Sequence, residues 1–259
     1  MKTHEPLNLS APHPGPAAPG CADHPPHLVP ERTRCLEGLH RDIIECDRCP
    51  RLRTYCAEVG QTRVRRYRDQ EYWARPVPGF GDPEARLFIL GLAPGAHGAN
   101  RTGRMFTGDD SGRWLYGALY EFGFADRPES VSRDDGLTLT DAYISNVVRC
   151  APPGNKPSPG EIAACRPFLE AELAMLTRVR VVLALGRIAF DTYVRLRRAQ
   201  GFDPGRIDFR HGAEYRIPGL PVLLSSYHPS RQNTNTGVLT APMWREIFAR
   251  ARALLDEPS

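Results

Sequence analysis

Short apolar runs alternate with amphipathic segments along most of the chain after about residue 85. The apolar runs, rich in Val, Ile and Leu, predict strands at 86–92, 142–148, 179–185 and 221–226, with a weaker one at 215–217. Apolar residues at helical spacing predict helices at 113–122, 159–176, 187–198 and 240–255, and a similar spacing covers 33–45.

The order of these elements predicts the fold class. The segment VRVVLALG at 179–186 is apolar on both faces, as strands of a buried parallel sheet are. Ser158 and Glu161, with Pro159 between them, form a capping box that predicts where the following helix begins. Alternating strands and helices predict an α/β protein, a three-layer α/β/α sandwich around a mainly parallel four-stranded sheet.

Composition divides the chain into two parts. Residues 1–30 are dominated by Pro, Ala, Gly and His, a composition typical of a disordered tail. Residues 31–259 are predicted to form a single domain. With 41% apolar and 25% charged residues, the chain is typical of soluble globular proteins. It lacks the run of about 18 apolar residues that a membrane span needs and the apolar core of a secretory signal, so we expect a cytoplasmic protein.

The charge is modestly positive. A formal net charge of +4 permits binding to a polyanion without requiring it. Arginines cluster at 63–68 and at 195–198. Each cluster is interpreted as a solvated helix face, because such runs are common on exposed helices.

A glycine-rich loop follows the first predicted strand. Residues 91–109 read GLAPGAHGANRTGRMFTGD, with five glycines and a proline that disfavour both helix and strand. Such a loop lets backbone amides approach a ligand closely, beginning at Gly91 and Ala93. It also carries side chains that bind polar or flat ligands. We interpret it as the floor of an active site.

Two further predicted strands end in polar residues. Asn146 closes one of them, and His228 follows another. Ligands of open α/β sheets bind beyond the carboxyl ends of the strands, so these residues are expected near the loop. Each has a structural alternative: Asn146 as a turn residue, His228 as a strand cap, Phe106 as a core residue and Asp109 as a helix N-cap.

Four of the seven cysteines suggest a metal site. Cys46 and Cys49 form a C-x-x-C pair, and Cys150 and Cys165 lie far downstream in polar, Pro-rich surroundings. Disulfides are not expected in the cytosol. Such a quartet suits an iron–sulfur cluster or zinc, and its spacing does not decide between them. The other three, at 21, 35 and 56, have no such context.

Three long motifs together carry a resemblance to a known family. They are the loop motif at 91–109, NVVRCAPPGNKP at 146–157 and HPSRQNTNTG at 228–237. From about Cys46 to the C-terminus the chain resembles the uracil-DNA glycosylases of family 5, also called type b. The resemblance implies a monomeric enzyme that flips uracil out of single- or double-stranded DNA and hydrolyses its glycosidic bond. Hypoxanthine and other deaminated bases are left open as substrates.

The resemblance also implies roles for individual residues. Phe106 would stack on the flipped base, Asn146 would bind its edge, His228 would contact its carbonyl, and Asp109 would assist the attacking water. The four cysteines of the quartet would hold a structural 4Fe-4S cluster. We further expect DNA contacts from Arg101, Arg104, Ser230 and Arg231, and insertion of 230–237 into the gap left by the base.

One position departs from the related family 4 pattern. Leu92 stands where family 4 enzymes carry an acidic residue, so the catalytic carboxylate must come from Asp109 or Asp110. Two other classes remain as alternatives. An iron–sulfur DNA sensor would form no abasic product, and a nucleotide hydrolase would prefer a phosphate-binding G-x-x-x-x-G-K-[ST] motif, which is absent.

Overall fold

The computed structural model describes residues 29–258, with side chains from Thr33 onward. Six strands form one sheet in the order β1-β3-β2-β4-β6-β5. Their bounds are β1 Phe80–Gly81, β2 Leu87–Gly91, β3 Ala142–Asn146, β4 Val181–Leu185, β5 Glu214–Tyr215 and β6 Val222–Ser226. The central four are parallel, as predicted, and each short edge strand is antiparallel to its neighbour. The sheet therefore has two edge strands beyond the predicted four: β5 overlaps the weaker strand predicted at 215–217, and β1 was not predicted.

Eight α-helices lie within the described residues. They are α1 Val29–Glu45, α2 Pro50–Thr62, α3 Ala99–Thr102, α4 Asp110–Glu121, α5 Pro159–Met175, α6 Arg187–Ala199, α7 Arg231–Asn235 and α8 Ala241–Asp256. The predicted tail lies almost wholly outside the described residues, although α1 already begins at Val29. None of the helices in 29–258 has both the length and the apolar character to cross a membrane.

Side chains that alternate between the two faces of the parallel strands pack into two hydrophobic cores. In β2, Leu87 and Ile89 join the cluster that contains the buried residues of α4 and α8. Phe88 and Leu90 join the cluster with the buried residues of α5 and α6 on the opposite face. Because successive strand residues point to opposite faces, one fully buried strand supports both layers. The predicted α/β/α sandwich is confirmed.

A buried ion pair joins the end of β3 to α5. Arg149 donates two hydrogen bonds to the Glu172 carboxylate, at 3.0 and 2.6 Å, and both side chains are fully buried. Glu172 also accepts from the hydroxyls of Ser145, at 2.6 Å, and Tyr143, at 3.2 Å. The buried charges of Arg149 and Glu172 thus compensate each other just after the end of β3.

The capping box at the start of α5 forms as predicted. The Ser158 side chain accepts from the Glu161 amide, while the Glu161 carboxylate accepts from the Ser158 amide. This start places Cys165 in the second turn of α5. The carboxyl ends of β2, β3 and β6 then bring three predicted site segments to one edge of the sheet.

Candidate active site

A cleft of about 1170 Å³ opens at the carboxyl edge of the sheet. The glycine-rich loop and the segment after β6 form much of its wall. Seven predicted site residues line it: Ala93, Arg101, Phe106, Asp109, His228, Ser230 and Arg231. Leu92 lines it as well, so the opening of the loop brings an aliphatic side chain to the cleft where a carboxylate would stand in family 4.

Gly91 lies where Asn146 and Phe106 meet. It is the register partner of Asn146 in the parallel ladder. A Cβ at Gly91 would fall 2.3 Å from Asn146 Oδ1 and 2.7 Å from Phe106 Cζ, closer than real side chains approach. Glycine is therefore required here by the space that the other two side chains occupy.

Asn146 lies behind the cleft wall and does not line the cleft. Its side chain is buried, and its Nδ2 donates only to the Met105 sulfur, at 2.8 Å. Its Oδ1 has no hydrogen-bond partner among the described residues. An unpaired buried polar atom costs about 1–3 kcal/mol, a cost that is commonly retained for function. The Asn146 amide can therefore bind the edge of a ligand that reaches it.

Phe106 and His228 form an aromatic pair in the cleft wall. Their rings stack with centroids 5.7 Å apart, a direct contact that leaves no space for a third ring between them. Phe106 adopts a left-handed backbone conformation (φ 53°), which is uncommon for an aromatic residue. Burial lowers the pKa of His228 to about 4. At neutral pH the imidazole is therefore uncharged and has one N–H to donate.

Asp109 serves as the N-cap of α4 and also faces the cleft. Its Oδ1 accepts from the Gly112 amide at 2.9 Å, so the structural alternative is correct for that oxygen. Its Oδ2 lies against the loop backbone, within 2.2 Å of where a Cβ on Gly98 would be. Burial raises the pKa of Asp109 in spite of the Gly112 hydrogen bond. One oxygen is thus engaged by the helix while the other faces the loop.

Asp110 has a different environment from its neighbour. Its two carboxylate oxygens pair separately with Arg113 and Arg231 at the rim of the cleft. Both oxygens are therefore engaged by arginines, which makes Asp109 the better candidate for binding a water molecule.

Arg101 and Arg104 are held by the protein itself. Arg101 donates to the carbonyls of His97, at 2.8 Å, and Gly108, at 3.0 Å, so it braces the glycine-rich loop. Arg104 is buried, does not line the cleft, and pairs with Asp135 at 2.6 Å. Arg104 is therefore not placed to contact a DNA phosphate, contrary to the sequence prediction, because its guanidinium is buried and paired with Asp135.

Ser230 begins the short helix α7 on the same wall. Its hydroxyl accepts from the Asn233 amide at 3.3 Å, and the Asn233 side chain donates to the His228 carbonyl at 2.8 Å. These bonds fix the segment that follows His228. The predicted inserting segment thus begins as an ordered helical turn at the mouth of the cleft.

Comparison with known proteins agrees with this arrangement. The family model described as "Uracil DNA glycosylase superfamily" matches residues 78–252, which include the part of the cleft wall from the glycine-rich loop to α7. The chain belongs to this superfamily. It is 51% identical to a type-5 uracil-DNA glycosylase of Thermus thermophilus, over 84% of this chain and 97% of that protein.

Two further type-5 uracil-DNA glycosylases extend the comparison. The relative from Mycobacterium bovis is 48% identical over 83% of this chain and 80% of its own length. The relative from Pyrobaculum aerophilum is 44% identical over 82% of this chain and 89% of its own length. The resemblance that the sequence motifs predicted is confirmed.

Several residues that line the cleft were not predicted from the sequence. Arg66, Tyr67 and Gln70 line it from a 3₁₀ turn at Arg65–Tyr67 and the residues after it, and Glu129 lines it from the loop before β3. The arginine run at 63–68 was the only available signal, and it was interpreted as a solvated helix face.

The predicted cysteine ligands come from the ends of three helices and a strand. Cys46 follows α1, Cys49 precedes α2, Cys150 follows β3 and Cys165 lies in α5. Burial raises the pKa of Cys49 to about 11, with contributions from Cys165 and Cys46, and burial also raises the pKa of Cys165. Cys49 also packs against the apolar cluster that contains Cys150. In the part of the chain that the structure describes, no group of three or more His, Cys, Asp or Glu side chains is arranged to hold a metal ion.

Two cysteines without a motif also have defined environments. Cys56, in α2, is buried beside Cys150, and its thiol donates to the Ala151 carbonyl at 3.6 Å. Cys35 lies in α1. Cys21 lies outside the described residues.

Proposed function

We propose that the protein removes uracil from DNA by hydrolysing the N-glycosidic bond, as a first step of base excision repair. The names of its type-5 relatives and its membership of the superfamily support this activity. Its substrate is a uracil-containing nucleotide in DNA, and its products are free uracil and an abasic site. Excision assays on DNA that carries hypoxanthine or other deaminated bases test whether the protein removes those bases as well.

One observation carries the proposal. Phe106, His228 and Asp109 share one cleft, and Asn146, whose Oδ1 has no partner among the described residues, lies next to Phe106 behind Gly91. A base inside a duplex is out of reach, so the nucleotide must rotate out of the stack at a cost of a few kcal/mol. Stacking on an aromatic ring and hydrogen bonds to the base edge offset that cost.

His228 is proposed to stabilise the departing uracil. Bond cleavage places negative charge on the base and positive charge on the sugar. A neutral imidazole can donate its N–H to the uracil carbonyl where the negative charge develops, and burial keeps His228 neutral. Removing one such donor typically slows the chemical step by about 10²- to 10³-fold.

Asp109 is proposed to orient the attacking water. An ionised carboxylate beside the sugar also offsets the positive charge that develops there. One oxygen of Asp109 accepts from the Gly112 amide and the other faces the loop, whereas both oxygens of Asp110 are paired with arginines. Asn146 would bind the uracil edge, because its amide offers a donor and an acceptor side by side.

The four cysteines of the quartet are proposed to hold a structural 4Fe-4S cluster. Four thiols form the ligand set of such clusters, and the packing of Cys49 against the cluster that contains Cys150 supports a shared site. When bound, the cluster would supply iron–thiolate bonds that join segments distant in sequence and would take no part in hydrolysis. Cys46 and Cys49 would bind from the α1–α2 connection, and Cys150 and Cys165 from β3 and α5.

The metal content of anaerobically purified protein tests the cluster. We expect brown protein with about four irons per chain. Cys165→Ser should lose iron, and Cys56→Ser should keep it as a matched control, because Cys56 is buried beside Cys150 but outside the predicted ligand set. A colourless protein that carries zinc would contradict the proposal.

We further propose that the protein acts as a monomer in the cytoplasm, on single- or double-stranded DNA. Arg231 and the segment after it would contact DNA from the rim of the cleft. A strand preference would appear as different half-saturating concentrations for matched single- and double-stranded substrates.

Single-turnover excision tests the assigned roles. Asp109, Asp110, Asn146 and His228 are replaced separately by Ala, and release of uracil from duplex DNA is timed with enzyme in excess. We expect large losses for all except the Asp110 variant. Wild-type rates for both the Asp109 and the His228 variants would show that the roles are wrongly assigned.

A further inference from the structure

A basic 3₁₀ turn forms part of the cleft rim and lies outside the three sequence motifs. The segment RVRRYR at 63–68 contains the turn Arg65–Tyr67, and Arg66 and Tyr67 line the cleft. The other arginine cluster, at 195–198, lies on α6 and does not line it. The structure thus separates two clusters that look alike in the sequence.

The arginines expected to contact phosphates have internal partners. Arg104 is buried with Asp135, and Arg101 donates to Gln70 and to two loop carbonyls. Arg231 shares Asp110 with Arg113. Two arginines and one carboxylate leave that rim with a single net positive charge, so it offers little free charge for a polyanionic strand.

Arg65 and Arg66 supply the missing charge. Both side chains are exposed, and neither forms a hydrogen bond or an ion pair with any residue that the structure describes. The Arg66 guanidinium lies 5.0 Å from the Tyr67 ring centre. Arg68, by contrast, pairs with Asp69, and Arg63 is occupied by backbone carbonyls. The turn therefore presents two uncompensated guanidinium groups, that of Arg66 in the cleft lining and that of Arg65 exposed at the preceding position.

The turn is fixed to the glycine-rich loop. The Arg101 guanidinium covers the Tyr67 ring at 3.9 Å and donates to the Gln70 side chain at 2.6 Å. Farther along, Tyr72 bonds to the His97 imidazole at 3.1 Å. A phosphate bound at this turn would thus lie at a fixed position relative to the loop that carries Phe106 and Asp109.

We propose that the Arg65–Tyr67 turn is a DNA phosphate-binding site, at which Arg65 and Arg66 hold the backbone beside the flipped nucleotide. The inference rests on the proposed function for the identity of the polyanion. Tyr67 is a positioning residue, because arginines already cover its ring. Arg101, the predicted phosphate contact, instead holds the turn in place.

Salt-dependent binding tests the site. The probe is a fluorescent duplex with a tetrahydrofuran abasic analogue, and log affinity is measured against log salt concentration. Neutralising each phosphate contact contributes about 0.9 to this slope, so the double variant Arg65→Gln/Arg66→Gln should lower its magnitude by about 2. In single-turnover excision the half-saturating enzyme concentration should rise more than the maximal rate falls, because both side chains are proposed to contact phosphate and not the reacting bond.

Two matched variants distinguish a local phosphate contact from an effect of net charge and from a loss of structure. Arg195→Gln/Arg198→Gln removes the same charge from α6 and should leave the slope unchanged. Arg65→Lys/Arg66→Lys keeps the charge and should keep most of the slope. An unchanged slope in the Arg65/Arg66 glutamine variant, or an equal fall in the α6 variant, would overturn the proposal. A lower slope in the Arg65/Arg66 glutamine variant, together with no release of uracil by the wild type, would refute the proposed function and leave the phosphate site standing.

Discussion

Replacing Gly91 with Ala should damage catalysis through a single added methyl group. The new Cβ would fall 2.3 Å from Asn146 Oδ1 and 2.7 Å from Phe106 Cζ, well inside ordinary van der Waals contact. Relief requires these two groups to retreat by roughly 1 Å, the order of misplacement that costs about 10²-fold in rate. That loss corresponds to about 2.7 kcal/mol in the activation barrier.

Single-turnover kinetics on uracil-containing duplex DNA measure the effect. The backbone of β2 keeps its ladder on both sides, so we expect the loss in the maximal rate rather than in the half-saturating enzyme concentration. Gly117→Ala is the matched control, because no atom lies within 4 Å of its added Cβ. A Gly91→Ala rate within about threefold of the wild type, where a 1 Å shift predicts about 10²-fold, would refute the reasoning that links Asn146 and Phe106 to the reaction.

Other perturbations address the carboxylates, the pH dependence and the buried ion pair. Asp109→Asn should slow single-turnover excision by about 10²-fold or more, whereas Asp110→Asn should change it only slightly, and equal losses would contradict the assignment. Because burial raises the pKa of Asp109 and lowers that of His228 to about 4, the reactive forms, ionised and neutral, are both lost on acidification. The rate should therefore be flat near neutral pH and fall in acid, starting at a higher pH than an ordinary aspartate would set; a rise in acid would be inconsistent. Glu172→Gln should lower the free energy of unfolding by about 3–5 kcal/mol, since it leaves a buried arginine without its counter-ion. Glu170→Gln, in a more exposed pair on the same helix, should cost less than about 1 kcal/mol in urea denaturation, and similar losses for the two would contradict the argument.

The central fold could be predicted because its signals are local. Each parallel strand is a five-residue, largely buried run that the apolar pattern reveals. The edge strand β1 has only two residues, too few for any period to appear. Helix α2 was missed although Leu52, Cys56 and Val59 mark its buried face, because the surrounding polar residues and the C-x-x-C pair dominated the interpretation.

The candidate site was predictable where motif and position coincide. Phe106, Asp109 and His228 do meet in one cleft, as the carboxyl-edge argument expected. Arg104 was assigned to DNA because its engagement depends on Asp135, a distant partner that no local pattern reveals. Arg66 was not predicted to lie at the cleft because its position depends on the packing of Tyr67 against Arg101, a contact between residues distant in sequence.

The most direct test of the account is the chemical fate of uracil in DNA. Wild-type protein is incubated with a duplex that contains one uracil, free base is identified by mass spectrometry, and abasic sites are counted by alkaline cleavage. We predict free uracil and abasic sites in equal amounts, with neither product from the same duplex carrying thymine. DNA that is bound but keeps its uracil would contradict the central claim and favour a DNA-binding role without hydrolysis.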